Sequence, residues 1–221
     1  MPQPLSPEQE QRAHRLQAGA DLLCDVRSET APILFGYIVA KPNYRSWPLA
    51  AVVGTYFASD KLDGVWARRA AQILGTEPTP EGAKKDERAD KRLCHAIFAG
   101  IAIREALNGN KAYATLLGGS DVAMALRDHI VSGYRDRGAE LGVDGKARAG
   151  GKIKLATLAA TATYAVSPLA EPDNLLGPTG PLLASVGTLA GAALSIHSGL
   201  DQIQHQQEQL QLLLAQQATE A

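Results

Sequence analysis

The run SDKLDGVWARRAAQILGTEPTPEGAKKDERADKRL, residues 59–93, decides the reading of this chain. It carries four aspartates in two pairs, Asp60 with Asp63 and Asp86 with Asp90. Within each pair the spacing is three or four residues, so on a helix the two carboxylates share one face. Between the pairs come Gly64, Ala67 and Arg68, then Gly82. Four converging carboxylates repel one another unless cations sit among them. Hard oxygen ligands of this kind suit Mg2+ or Mn2+, and Mg2+ commonly bridges to substrate phosphates. An isolated Asp-x-x-Asp is usually a solvated helix face. Two such pairs, with Gly, Ala and Arg in order between them, are a far more specific signal. The small residues let helix backbones approach closely and leave room for a ligand.

Outward from this run the chain alternates apolar stretches with polar turns. Residues 47–58 (WPLAAVVGTYFA) lead into the first aspartate pair, and residues 93–103 (LCHAIFAGIAI) follow the second. Residues 30–40 and 155–170 are also apolar, residues 112–136 are mixed, and residues 181–200 have about the length that crosses a bilayer core. These stretches predict six apolar helices. Asn108-Gly109-Asn110 is a turn signal, and residues 171–180 are rich in turn residues. Ahead of them, Ser6-Pro7-Glu8 with Glu10 is a helix start, and Leu16, Ala20 and Leu23 recur at helical spacing. This predicts a short amphipathic helix over residues 1–28, either lying on a membrane surface or capped in water. Residues 29–204 then form the membrane domain, and residues 205–221 a Gln-rich polar tail.

Charge sorts along this pattern. With the N-terminus inside and alternating crossings, the inside segments are 1–28, 60–92 and 134–154, plus the tail. They hold seventeen basic residues, while the outside turns hold three, Lys41, Arg45 and Lys111. The positive-inside rule therefore favours this orientation and puts all four aspartates at the cytoplasmic end of a six-span membrane protein. Mean hydropathy is −0.11, low for such a protein, because charge is concentrated in the inside segments. A net charge of −1 gives no field for nucleic acid. Cys24 and Cys94 lack CxxC spacing and read as free thiols. None of the five histidines has ligand spacing with another His or Cys, and no Gly-rich loop opens a helix after a strand, so dinucleotide and P-loop readings fail.

The pattern D-x2-D-G-x2-A-R followed by G-x3-D-x3-D, residues 60–90, resembles the signature of the CDP-alcohol phosphotransferases, integral-membrane enzymes of phospholipid synthesis. More residues separate Arg68 from Gly82 than is usual there, so the segment 75–80 is expected to loop out. Further stretches are similar to the phosphatidylglycerophosphate synthase group: DERADKRL (86–93, with Glu87 for the usual Pro), RDHIVSGYR (127–135, with Asp128 for Glu), GKIKLATLAA (151–160, with Leu155 for Thr) and SGLDQIQ (198–204). The resemblance covers residues 30–204.

The resemblance implies transfer of a phosphatidyl group from CDP-diacylglycerol to glycerol 3-phosphate, with release of CMP. It implies two divalent ions held by Asp60, Asp63, Asp86 and Asp90. CDP would be bound through Asp60, Gly64, Ala67, Arg68 and Gly82, with the planar fork of Arg68 on the diphosphate. Asp90 would be either general base to the attacking alcohol or purely a ligand. A dianionic acceptor needs cations, and Arg127 and Arg135 lie eight apart, about one face of a helix. Arg127, Ser132, Arg135, Lys152 and Lys154 are thus the acceptor-phosphate candidates. Lys152 and Lys154 read equally as topology-setting residues at a helix end. A homodimer is expected from the resemblance alone. Three rival readings stand beside this one: a sister enzyme using inositol phosphate or phosphatidylglycerol, a catalytically degenerate membrane binding protein, and a soluble helical Mg2+-diphosphate enzyme.

Overall fold

A computed structural model of the chain describes residues 5–76, 80–140 and 149–220. They form six α-helices and one short 3-10 turn: α1 (Pro7–Ala40), α2 (Trp47–Leu74), α3 (Pro80–Leu107), α4 (Lys111–Glu140), α5 (Ala149–Ala165) and α6 (Thr179–Glu220), with the turn at Pro168–Ala170. No strand occurs among the described residues. The all-α expectation therefore holds, with six helices. Among the described residues one helix, within Thr179–Leu213, is long and apolar enough to cross a membrane by itself.

The short N-terminal amphipathic helix is corrected. Residues predicted as two elements form a single 34-residue helix, α1. Its start is as expected: Ser6 caps it, accepting from the Gln9 amide, while the Gln9 side chain accepts from the Ser6 amide at 2.9 Å. Continuity past residue 28 follows from the buried residues Ala20, Cys24, Arg27, Ala31, Leu34 and Ile38. They repeat at alternating four and three, one unbroken inner stripe. Arg27 lies on that stripe. Pro32 is accommodated within the helix.

The other helices extend beyond their apolar stretches in the same way. Leu49, Val53, Phe57 and Asp63 are buried on α2, and Leu93, Ile97, Ile101 and Glu105 on α3. The buried faces of α2, α3 and α4 also carry carboxylates, Asp63, Asp90 and Asp128. Gly75, in the left-handed region at φ 64°, ends α2, with the Thr76 amide bonded to the Ala71 carbonyl at 2.9 Å. The second helix thus ends at Leu74 and the third begins at Pro80; residues 77–79 of the 75–80 insertion lie outside the described residues.

The helices close into a ring. α1 packs between α2 and α3, α3 against α4, α4 against α6, α6 against α5, and α5 returns to α2. Tight spots need small residues: a side-chain carbon on Gly187 would lie 2.5 Å from Thr161 Oγ1, and one on Gly19 would lie 3.0 Å from the Trp66 ring. One end of the ring is sealed by Glu105, which is fully buried. It accepts from Tyr44 Oη at 2.9 Å, Arg45 Nη2 at 2.7 Å and Asn110 Nδ2 at 2.6 Å. The outer surface carries apolar stripes, as on α4 with Val122, Leu126, Ile130 and Tyr134 all exposed.

Candidate functional site

Successive helices run in opposite directions, so the second half of α2, the first half of α3 and the second half of α4 meet at the end opposite Glu105. The four aspartates converge there. One oxygen each from Asp60, Asp86 and Asp90 lie within 4.8 Å of one another, and Cys24, Asp63 and Asp86 form a second such group. Asp86 belongs to both, so the donor set is two overlapping clusters. Asp63 and Asp90 are buried and Asp60 and Asp86 half-buried. The site is closed at its floor and open at its mouth.

The guanidinium of Arg27, fully buried, contacts all four carboxylates. Nη1 lies 2.7 Å from Asp90 Oδ1 and 3.3 Å from Asp60 Oδ1. Nη2 lies 2.6 Å from Asp86 Oδ1 and is bonded to Asp63 Oδ2. The Cys24 thiol is 3.5 Å from Asp86 Oδ1 and 3.5 Å from Arg27 Nη2. Burial, then the Asp86 charge, pushes this thiol up to about 12, so it stays protonated. One arginine against four carboxylates leaves the cluster electrostatically under-compensated. The carboxyl groups register this. Burial, then Asp86, raises Asp63 to about 6, and burial, then Asp60, raises Asp90 to about 8, with Arg27 opposing both shifts.

Divalent cations fit this donor set. Its oxygens are hard, their charge exceeds that of the one guanidinium, and Asp63 Oδ1 is buried without a hydrogen-bond partner. Asp60, Asp63, Asp86 and Asp90 are the residues that could hold them. Gly64 and Arg68 lie beside the mouth: a side-chain carbon on Gly64 would meet Arg68 Nη1 at 3.3 Å, so the glycine gives the exposed arginine room to lie along α2. Ala67 and Gly82 are half-buried on α2 and in the first turn of α3.

An adjacent face of α3 builds a second cluster, because Glu87 and Lys91 follow Asp86 and Asp90 directly and so point about 100° away. Lys91 Nζ lies 2.7 Å from Glu87 Oε1 and 3.1 Å from Ser132 Oγ. Arg135 is bonded to Glu87 and, at 2.8 Å, to Gln202 Oε1. Arg127 reaches Asp128 at 2.6 Å and Ser198 Oγ at 2.9 Å, and Lys154 reaches Asp128 at 3.0 Å. Gly199 makes space for this: a side-chain carbon there would sit 2.5 Å from Arg127 Nε.

Four of the five residues expected around an acceptor phosphate, Arg127, Ser132, Arg135 and Lys154, therefore come together. Lys152 is exposed and stands apart. Sequence reading missed Arg27, Lys91, Ser198 and Gln202 as members of the two clusters. Arg27 had a readable signal, its place in the four-three stripe from Ala20 to Ile38. Ser198 lay in a quoted motif, but only the packing of α6 on α4 shows what it meets.

The family model described as CDP-alcohol phosphatidyltransferase matches residues 20–196. The match starts ten residues before the stretch read from motifs, so it takes in Cys24 and Arg27, and it stops short of Ser198. No curated protein matches the chain.

Proposed function

The chain belongs to the CDP-alcohol phosphatidyltransferase family, whose activity is transfer of a phosphatidyl group to an acceptor alcohol, and we propose that here the donor is CDP-diacylglycerol and the acceptor glycerol 3-phosphate. The observation that supports this reading is the pair of clusters on adjacent faces of α3. One is acidic and suits cations on a diphosphate; the other is basic and suits a second phosphate. When bound, divalent ions at Asp60, Asp63, Asp86 and Asp90 would neutralise the charge of the donor diphosphate and of departing CMP. Arg68 contacts that diphosphate from the mouth of the site. Arg127, Arg135, Lys154 and Ser132 orient the acceptor phosphate, so that the alcohol hydroxyl faces the β-phosphorus of the donor. Its oxygen bonds to that phosphorus as the bond to the bridging oxygen breaks, and CMP leaves. Asp90 takes the hydroxyl proton; burial and the neighbouring Asp60 raise its carboxyl above the ordinary range, which makes its carboxylate a stronger base.

Family members are integral membrane proteins. The exposed apolar stripes, such as Val122–Leu126–Ile130 on α4 and Leu182, Val186 and Leu189 on α6, support six membrane-crossing helices, with both clusters at the cytoplasmic end. The polar halves of the helices then line a cavity at that end, where ionisable residues face one another rather than lipid.

The test is CMP release by the detergent-purified protein with Mg2+, CDP-diacylglycerol and a panel of alcohols. Release with glycerol 3-phosphate is expected. Release only with inositol phosphate or phosphatidylglycerol would reassign the acceptor, and CDP binding without turnover would mark a degenerate binding protein. Asp90→Asn is expected to abolish release; retained turnover would remove Asp90 as the base.

A further inference from the structure

Four cations and two carboxylates meet where α3, α4, α5 and α6 converge. Lys91, Arg127, Arg135 and Lys154 face Glu87 and Asp128. Four less two leaves a surplus of two positive charges, which matches a phosphomonoester near neutral pH. Each carboxylate bridges two of the cations, but the two differ in exposure. The Asp128 side chain is 7% exposed, between Arg127 and Lys154, whereas the Glu87 side chain is 35% exposed, between Lys91 and Arg135. Glu87 has an open path to water and Asp128 does not. Lys91 and Arg135 are also held from elsewhere, by Ser132 at 3.1 Å and Gln202 at 2.8 Å, so they keep their places without Glu87. The Nε atoms of Arg127 and Arg135 are buried without a partner, so neither guanidinium is saturated.

We propose that Glu87 is a built-in competitor in the acceptor subsite: its carboxylate occupies the Lys91 and Arg135 donors that the acceptor's phosphate takes, and it turns to solvent when a phosphorylated alcohol binds. This rests on the reading of the basic cluster as the acceptor subsite. It gives Lys91 a binding role and makes Glu87 the residue that tunes acceptor affinity and charge selectivity. A phosphate dianion, with more charge and three acceptor oxygens, displaces the carboxylate. A neutral polyol, which makes no charge-assisted bonds, leaves it in place.

The experiment titrates glycerol 3-phosphate calorimetrically into the full-length protein in detergent with Mg2+ and CMP, alongside KM measurements at saturating CDP-diacylglycerol. Glu87→Gln is expected to lower Kd and KM for glycerol 3-phosphate by about tenfold, the scale of removing one like charge at contact distance in a partly exposed site. Glu87→Asp keeps the charge and stays closer to wild type, and Lys91→Gln weakens binding. If Glu87→Gln does not fold, Glu87→Ser is judged on the same criterion. A folded variant that binds no more tightly than wild type, while wild type binds measurably, overturns the role of Glu87 alone. If wild type and variant both release CMP with a neutral alcohol and neither binds any phosphorylated one, the acceptor-subsite reading fails and the inference with it.

Discussion

Replacing Arg27 with glutamine separates the two cations that the acidic cluster can take, the protein's own and a metal ion. Without metal, Arg27 is the guanidinium shared by four carboxylates, and its side chain is fully buried. Asp63 at 2% and Asp90 at 12% exposure set the size of the effect, because water screens Asp60 at 22% and Asp86 at 35%. Removing one partner of a buried charge pair costs about 3–5 kcal/mol. For a chain of this size that lowers the unfolding midpoint of the metal-free protein by roughly 6–20 °C. Metal binding should move the other way. A divalent ion entering the wild-type cluster must displace a positive charge from the same oxygens, and one such contact is worth at least about 1.4 kcal/mol, or tenfold. Arg27→Gln should therefore bind Mn2+ at least about tenfold more tightly and gain more midpoint from saturating Mn2+ than wild type does. Thermal unfolding in detergent, with and without EDTA, and Mn2+ titration by electron paramagnetic resonance read both effects. Unchanged metal-free stability, or weaker Mn2+ binding in the variant, would refute the view of Arg27 as a resident counter-cation.

Three further outcomes follow from the geometry. Asp63 and Asp90 have carboxyl groups raised from 3.8 to about 6 and about 8, so the folded protein holds protons that the unfolded chain releases. Metal-free stability should accordingly fall as pH rises from about 4 to 8, while Mn2+ affinity should rise from pH 6 to 8 as competing protons leave; a pH-independent Mn2+ Kd would count against these assignments. Gly199→Ala puts a carbon 2.5 Å from Arg127 Nε and 3.2 Å from Val131 Cγ2, so it should cost about 1–3 kcal/mol and weaken acceptor binding, measured as a lower midpoint and a higher KM. Glu105→Ala strips a buried carboxylate from Tyr44, Arg45 and Asn110 at the far end of the ring and should cost about 3–5 kcal/mol, with Mn2+ affinity in the surviving folded fraction unchanged.

What the sequence disclosed depended on whether partners were local. The aspartate pairs were legible because each pair sits within one turn, and the end of α2 was legible because Gly75 and the prolines after it are turn residues. Helix lengths were not: hydropathy marks only the apolar part of a helix, and residues 59–74 and 80–92 continue as helix with charge on them. Arg27 reads only as one of the basic residues of an inside segment, and its role stays hidden because its carboxylate partners lie 33 to 63 residues away, where no local rule reaches. The Lys152–Lys154 pair shows the opposite error. Residues two apart on a helix point about 200° apart, so only one of them could face Asp128, and helical geometry alone required a choice between them.

The arrangement of α3 explains why two charged clusters of opposite sign can lie side by side without collapsing into each other. Asp86 and Asp90 point toward α1 and α2, where Arg27 waits; Glu87 and Lys91 point toward α4, where Arg135 and Ser132 wait. The helix backbone stands between them, and each cluster draws its counter-charges from its own side. A substrate with a diphosphate at one face and a phosphorylated alcohol at the other would bring two anions together around α3, and neutralising both is the electrostatic condition for their approach. Divalent ions held at the acidic face, beyond what Arg27 alone offsets, and the surplus of two positive charges on the other face would meet that condition. The same logic makes Glu87 the more consequential departure in this chain. It adds a negative charge on the basic face one residue from a metal-ligand candidate, so on the proposed reading its substitution is felt first in acceptor affinity, whereas substitution of Asp86 is felt first in metal affinity.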